Sequence, residues 1–122
     1  MSEGKLPHDH GEDMSILRYM PSETAVNAVS AALKQVGEPS RLRIFWLLCH
    51  REECVVNIAA LTQMSSPAVS HHLRLLKDCG LIVSHRAGKE MYYRAADTEL
   101  ARELHRIIEN IAHISCPEEQ IS

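Results

Sequence analysis

Ser66, Ser70, His71, Arg74 and Lys77 stand four, one, three and three residues apart in the stretch SSPAVSHHLRLLKD. At about 100° per residue they collect, with Pro67 and Asp78, on one side of a helix. Ala68, Val69, His72, Leu73, Leu75 and Leu76 collect on the other. Small hydroxyl-bearing residues at a helix start allow close approach to a duplex, and the positive helix end favours phosphate. Ser66, Ser70 and His71 therefore offer base-edge or phosphate contacts, with Arg74 and Lys77 nearer the backbone. The plainer reading is the solvated face of an ordinary helix. Ser70, His71 and His72 also resemble a nucleophile and its bases, but adjacent helical side chains point about 100° apart and cannot converge. An enzyme is not expected. His72, on the apolar side, reads as a histidine at the core edge.

Charge supports contact with a polyanion. The formal net charge is −3, yet residues 63–94 carry five bases against two acids, while residues 1–13 and 95–122 are acidic. DNA feels the local field within a Debye length of roughly 8–10 Å, so the overall sign does not forbid binding. The four cysteines, Cys49, Cys54, Cys79 and Cys116, have no tight CxxC spacing. They read as thiols, ligands or redox sensors rather than a disulfide framework. Cys49 and Cys79 sit on apolar faces and read as core packing.

These residues need elements to position them. At 122 residues and 45% apolar composition the chain fits one domain, and its 4% of aromatics favours helices packed through Leu, Ile, Val and Ala. Residues 1–20, broken by Gly4, Pro7 and Gly11, read as a mobile arm. A first helix is predicted from Ser22 as cap to Gly37, and a second from a Ser40 cap, with Leu42, Phe45, Leu48 and Cys49 on one face. A third covers about residues 56–63, with Ile58 and Leu61 inward. After a short break the reading helix starts with Ser66 as cap and Pro67 at its first position, and ends at Gly80. Two strands around Ala87-Gly88 form a hairpin carrying Arg86, Lys89 and Arg94, placed to reach a minor groove or phosphates. Tyr92 and Tyr93 alternate there, one inward and one outward. A last helix, capped by Asp97, reaches about residue 114 before Pro117. This order is mainly α with a small β-hairpin wing: a winged helix-turn-helix with an extra helix at each end. Residues 21–115 form the domain and 116–122 a tail.

On the last helix Leu100, Leu104, Ile107, Ile108 and Ile111 form a narrow apolar stripe. It reads as a seam with a second copy rather than intrachain core. A two-fold homodimer suits an inverted-repeat site in double-stranded operator DNA.

The stretch MSSPAVSHHLRLLKDCGLIVSHRAGKEMYY resembles the helix-turn-helix and wing of ArsR/SmtB repressors, and EPSRLRIFWLLCHREECVV resembles their second helix and the entry to the third. The resemblance spans roughly residues 22–114. It implies a homodimer built on the first and last helices, a palindromic operator, and an inducer that lowers DNA affinity. It puts Ser66, Pro67, Ala68, Ser70 and His71 on the groove-facing positions.

Two sensor sites recur in that family, and neither is intact. One spans paired last helices, and its positions here are Asp97, Glu99, Asn110 and His113, a hard and weak donor set for zinc. The other joins a Cys-x-Cys at the third helix to ligands on the arm. Here Cys54-Val55-Val56 keeps one thiolate, Asn57 stands where some members have Asp, and the arm offers His8, Asp9 and His10, with Asp13 or Cys116 as a further donor. The expected inducer is a metal or metalloid ion such as zinc or cadmium. The alternatives are a thiol-based redox or reactive-sulfur sensor of the same fold, and a protein-interaction module that binds no DNA. The polar, acidic N-terminus is no secretion signal. The longest apolar run, residues 44–49, is far short of the roughly 18 residues a membrane span needs. A cytoplasmic protein without membrane contact is expected.

Overall fold

The computed structural model describes residues 6–8 and 14–113. Among them, helices and strands follow in the order α1 (Glu23–Val36), α2 (Pro39–His50), β1 (Glu53–Cys54), α3 (Val55–Thr62), α4 (Ser66–Asp78), β2 (Ile82–Ala87), β3 (Glu90–Ala95) and α5 (Glu99–Ala112). The expected winged helix-turn-helix with an added helix at each end is what forms. Within the predicted arm, Ser15–Tyr19 makes a 3-10 turn that buries no residue.

Helix starts follow local chemistry, and three differ by a residue or two from expectation. Ser22 caps α1 as expected, accepting the Ala25 N–H at 3.1 Å. Glu38, not Ser40, caps α2: its carboxylate accepts the Arg41 N–H at 2.9 Å. Pro39 then takes the first turn, where its fixed φ suits the helix and its missing N–H costs nothing. Ser65, not Ser66, caps α4 by accepting the Ala68 N–H at 3.3 Å, so Ser66 is already helical. Thr98, not Asp97, caps α5, accepting the Ala101 N–H at 3.2 Å. Asp97 instead pairs with Arg102 at 2.6 Å.

Helix α4 ends as its sequence demands. Gly80 sits at φ +82°, its N–H bonds the Lys77 carbonyl, and the Leu81 N–H bonds the Leu76 carbonyl, both at 3.0 Å. This is a Schellman motif, and it turns Leu81 into the core.

The sheet order is β1-β3-β2, all antiparallel. Strand β1 was not foreseen; two residues carry no periodicity, and pairing of Glu53 with Tyr93 and Cys54 with Tyr92 defines it. In the wing, Ala87 opposes Glu90, leaving Gly88-Lys89 as a two-residue loop. Gly88 has φ +64° and Lys89 does not share it, the pattern of a type II′ turn. Tyr92 and Tyr93 are both half-buried, but of the two it is Tyr93 that packs against the core, while the Tyr92 ring stacks on His85 at 5.9 Å.

The core joins Ile44, Phe45 and Leu48 of α2, Ile58 of α3, and Val69, Leu73 and Leu76 of α4 to Leu81 and Ile82. Leu61 is 51% exposed rather than inward; Ala59 and Thr62 fill that side of α3.

The α5 stripe divides. Its buried face centres on Ala101 and includes Leu104, with Leu100 and Ile108 packed against the core. Leu104 is consumed by the protomer, whereas Ile107 is 45% and Ile111 75% exposed. Helix α1 buries Ala32 and Val36 but leaves Val26, Val29 and Leu33 exposed. No described helix is long and apolar enough to cross a membrane.

Candidate nucleic-acid interface and sensor positions

On α4 the core-facing side chains Val69, Leu73 and Leu76 are at most 1% exposed and hold the helix against α2 and α3. That fixes the other face. Ser66, Pro67, Ser70, His71, Arg74 and Lys77 are all exposed along it, with Ala68 half-buried at its edge. The Arg74 guanidinium lies 3.1 Å from Nδ1 of His71. A guanidinium only donates, so Nδ1 accepts and the neutral ring carries its proton on Nε2. Lys77 Nζ donates to the Ser84 hydroxyl at 2.8 Å, tying the end of α4 to strand β2. Arg86 and the loop residue Lys89 are exposed on the wing. Hydroxyls, an imidazole and four cations thus share a helix face and its adjoining hairpin, the donor set that base edges and phosphates accept.

His72, next to that face, is turned inward and half-buried. Arg41 of α2 donates to its Nδ1 at 3.2 Å, while the Glu38 carboxylate stands 3.9 Å from the same atom. Nδ1 cannot both accept from Arg41 and donate to Glu38. Burial lowers the imidazole's pKa below its usual 6.5 and outweighs the pull of Glu38, so the neutral ring and the Arg41 bond prevail. Glu38 itself is held below the usual carboxyl range, chiefly by the Arg41 backbone N–H.

The sensor positions taken from the resemblance lie apart. Cys54 is buried in β1. Beside it Glu53 bonds Arg51 at 2.5 Å and accepts from Asn57 at 3.1 Å, so the Asn57 amide is engaged. His8 is exposed; His10, Asp9, Asp13 and Cys116 fall outside the described residues. Glu99 and Asn110 stand at opposite ends of α5, about 16 Å apart at 1.5 Å per residue, with Asp97 and His113 beyond them. One ion could take all four positions only across two antiparallel helices. Within a protomer they do not form a site. Burial pushes the Cys79 thiol up, and its Sγ donates to the Leu76 carbonyl at 3.4 Å.

A different set does converge. Nε2 of His105 lies 2.6 Å from the Glu109 carboxylate and 2.9 Å from Nε2 of His50; His50 Nε2 and Glu109 are 3.7 Å apart. His50 ends α2, and the other two stand one turn apart on α5. Their His-x-x-x-Glu spacing is visible in the sequence. The third donor, 55 residues away, is not.

A model of the bacterial regulatory protein arsR family matches residues 38–84, from the start of α2 to strand β2. The chain is 31% identical over 107 residues to the HTH-type transcriptional repressor SmtB of Mycobacterium tuberculosis, covering 88% of this chain and 77% of that one. It is 40% identical over 67 residues to the cadmium resistance transcriptional regulatory protein CadC of Listeria innocua, 54% of this chain and 56% of that. The solution structure of a homodimeric winged helix-turn-helix DNA-binding domain from Mycobacterium bovis superposes with a TM-score of 0.68. It is 31% identical, with 76% of this chain and 88% of that chain covered. The exposed α4 face and its wing therefore belong to a DNA-binding regulator of transcription rather than an enzyme, and the chain belongs to the ArsR family of bacterial regulatory proteins.

Proposed function

We propose that the protein is a homodimeric, cytoplasmic repressor that holds operator DNA through α4 and the β2–β3 wing and leaves it when a divalent metal ion binds. The observation that carries this reading is the exposed face from Ser66 to Lys77, held rigidly by Val69, Leu73 and Leu76. Dimerisation is supported by the uncovered apolar side chains of α1 and α5, and by the homodimeric Mycobacterium bovis relative. The metal is supported by the cadmium-resistance relative and by the imidazole–carboxylate cluster.

An inducer acts through unequal affinity for two arrangements of the dimer. Consecutive major grooves on one side of a duplex are about 34 Å apart, so a small rotation at the seam displaces both reading helices from register. A coupling of roughly 3 kcal/mol changes operator affinity about 150-fold.

The test is fluorescence anisotropy on a duplex selected by the protein from a random pool, titrated with Zn²⁺, Ni²⁺, Cd²⁺ or polysulfide. Release by a metal ion supports the reading. Release by polysulfide alone replaces it with thiol sensing, and failure to retain any duplex at low salt leaves a protein-interaction module.

A further inference from the structure

We propose that His50, His105 and Glu109 form an intraprotomer metal site that clamps α2 to α5. The site takes a borderline divalent transition-metal ion, with zinc as the reference case. The inference rests on the metal-released repressor reading and names the site that reading lacks.

Three donor atoms meet at separations of 2.6, 2.9 and 3.7 Å. A proton can be shared between two of them, whereas a cation can be bound by all three. Zinc–nitrogen bonds of about 2.0–2.1 Å put neighbouring tetrahedral ligands about 3.3 Å apart, inside the observed spread. The cluster thus accepts an ion with movements of a few tenths of an ångström. Two imidazoles and one carboxylate suit Zn²⁺, Ni²⁺ or Co²⁺ and lack the thiolates that softer cadmium and arsenite prefer. The His50 and Glu109 side chains are only 7% and 10% exposed and that of His105 23%, so packing holds the donors in place. A cavity of about 440 Å³, lined by His50, His105, Cys49 and Asp97 among others, gives access and room for a water as fourth ligand.

The position also links the two ends of the switch. Helix α5 carries the exposed Ile107 and Ile111, and α2 is a lever about 18 Å long. At its far end Arg41 grips His72 on the reading helix. Fixing the angle between α2 and α5 therefore fixes where α4 sits relative to a partner.

Trp46, the single tryptophan of the chain, lies with its ring 4.6 Å from that of His50 and reports on the site. Full-length protein without DNA is titrated with Co²⁺, then Zn²⁺, following visible absorption, Trp46 fluorescence and metal stoichiometry by dialysis. One ion per protomer is expected, with Trp46 quenched by Co²⁺ in step with the absorption. His50→Gln and His105→Gln should each weaken binding by at least about 100-fold, beyond the effect of a second-shell change. The pair Glu99→Gln with His113→Gln, neither of which lines that cavity, should leave it within about threefold, the scatter expected when no ligand is lost. Tight Co²⁺ binding that leaves Trp46 fluorescence unchanged overturns the site in the wild-type protein, whatever the variants do. So does binding lost in the Glu99/His113 pair but kept in folded His50→Gln, or no binding at all. If an ion binds here without releasing DNA, the site stands and the repressor-release reading fails. If metal still releases DNA from folded His105→Gln, the release reading stands and the site fails.

Discussion

Arg41 on α2 donates to Nδ1 of His72 on α4 at 3.2 Å, a bond that exists only while the imidazole is neutral. Burial keeps His72 below its usual pKa, so the unfolded chain takes up this proton first as pH falls. The stability it contributes is complete above about pH 6.5 and is lost as pH falls from there through the lowered folded value. Urea midpoints at about pH 7.5 and pH 5.5 should therefore differ, and His72→Gln should shrink the difference. An unchanged difference removes His72 from the linkage.

Arg86 and Lys89 on the wing are predicted to supply sequence-independent affinity. Replacing either by Gln should weaken binding to every duplex alike and reduce the slope of log K against log salt by about one. Anisotropy titrations at several salt concentrations measure both quantities. A change confined to one duplex would assign these side chains to base reading instead.

Ile111 and Leu104 lie on the same helix but on different faces, Ile111 75% exposed and Leu104 buried. Ile111→Glu, on the exposed side, should shift a homodimer toward monomer in sedimentation while leaving protomer folding intact. Leu104→Ala should cost about 2–5 kcal/mol of folding stability, since it leaves a cavity in the core. A protomer destabilised equally by both changes would show that α5 has no free face.

Gly80 ends α4 at φ +82°, and an added Cβ there would meet nothing within 4 Å. The cost of Gly80→Ala is therefore backbone strain alone, about 1–2 kcal/mol. Chemical denaturation should show that loss, with dimer assembly unchanged at a protein concentration that keeps the chain folded.

How much of this was legible follows from how local each signal is. The α4 reading face is written in thirteen contiguous residues, and a 3.6-residue period alone separates Ser70 and His71 from Leu73 and Leu76. Cap positions slipped because Ser65 and Ser66, or Asp97 and Thr98, are chemically near-equivalent caps. Only the bonds to the Ala68 and Ala101 amides choose between them. Leu104 and Ile111 share an apolar type, so the α5 stripe reads as one surface; burial in the core cluster assigns Leu104 inward. His50, His105 and Glu109 escaped because α2 and α5 meet only in the folded chain. The positions that the resemblance implies, Asp97, Glu99, Asn110 and His113, lie at opposite ends of α5, and no single protomer gathers them.

The most direct measurement is the affinity of Ser70→Ala/His71→Ala for the selected duplex and a scrambled one, with dimer mass checked in parallel. The expected result is a loss of about 10- to 100-fold on the selected duplex, with little change on the scrambled one. Undiminished affinity for the selected duplex in a folded dimer would contradict the assignment of α4 as the reading helix.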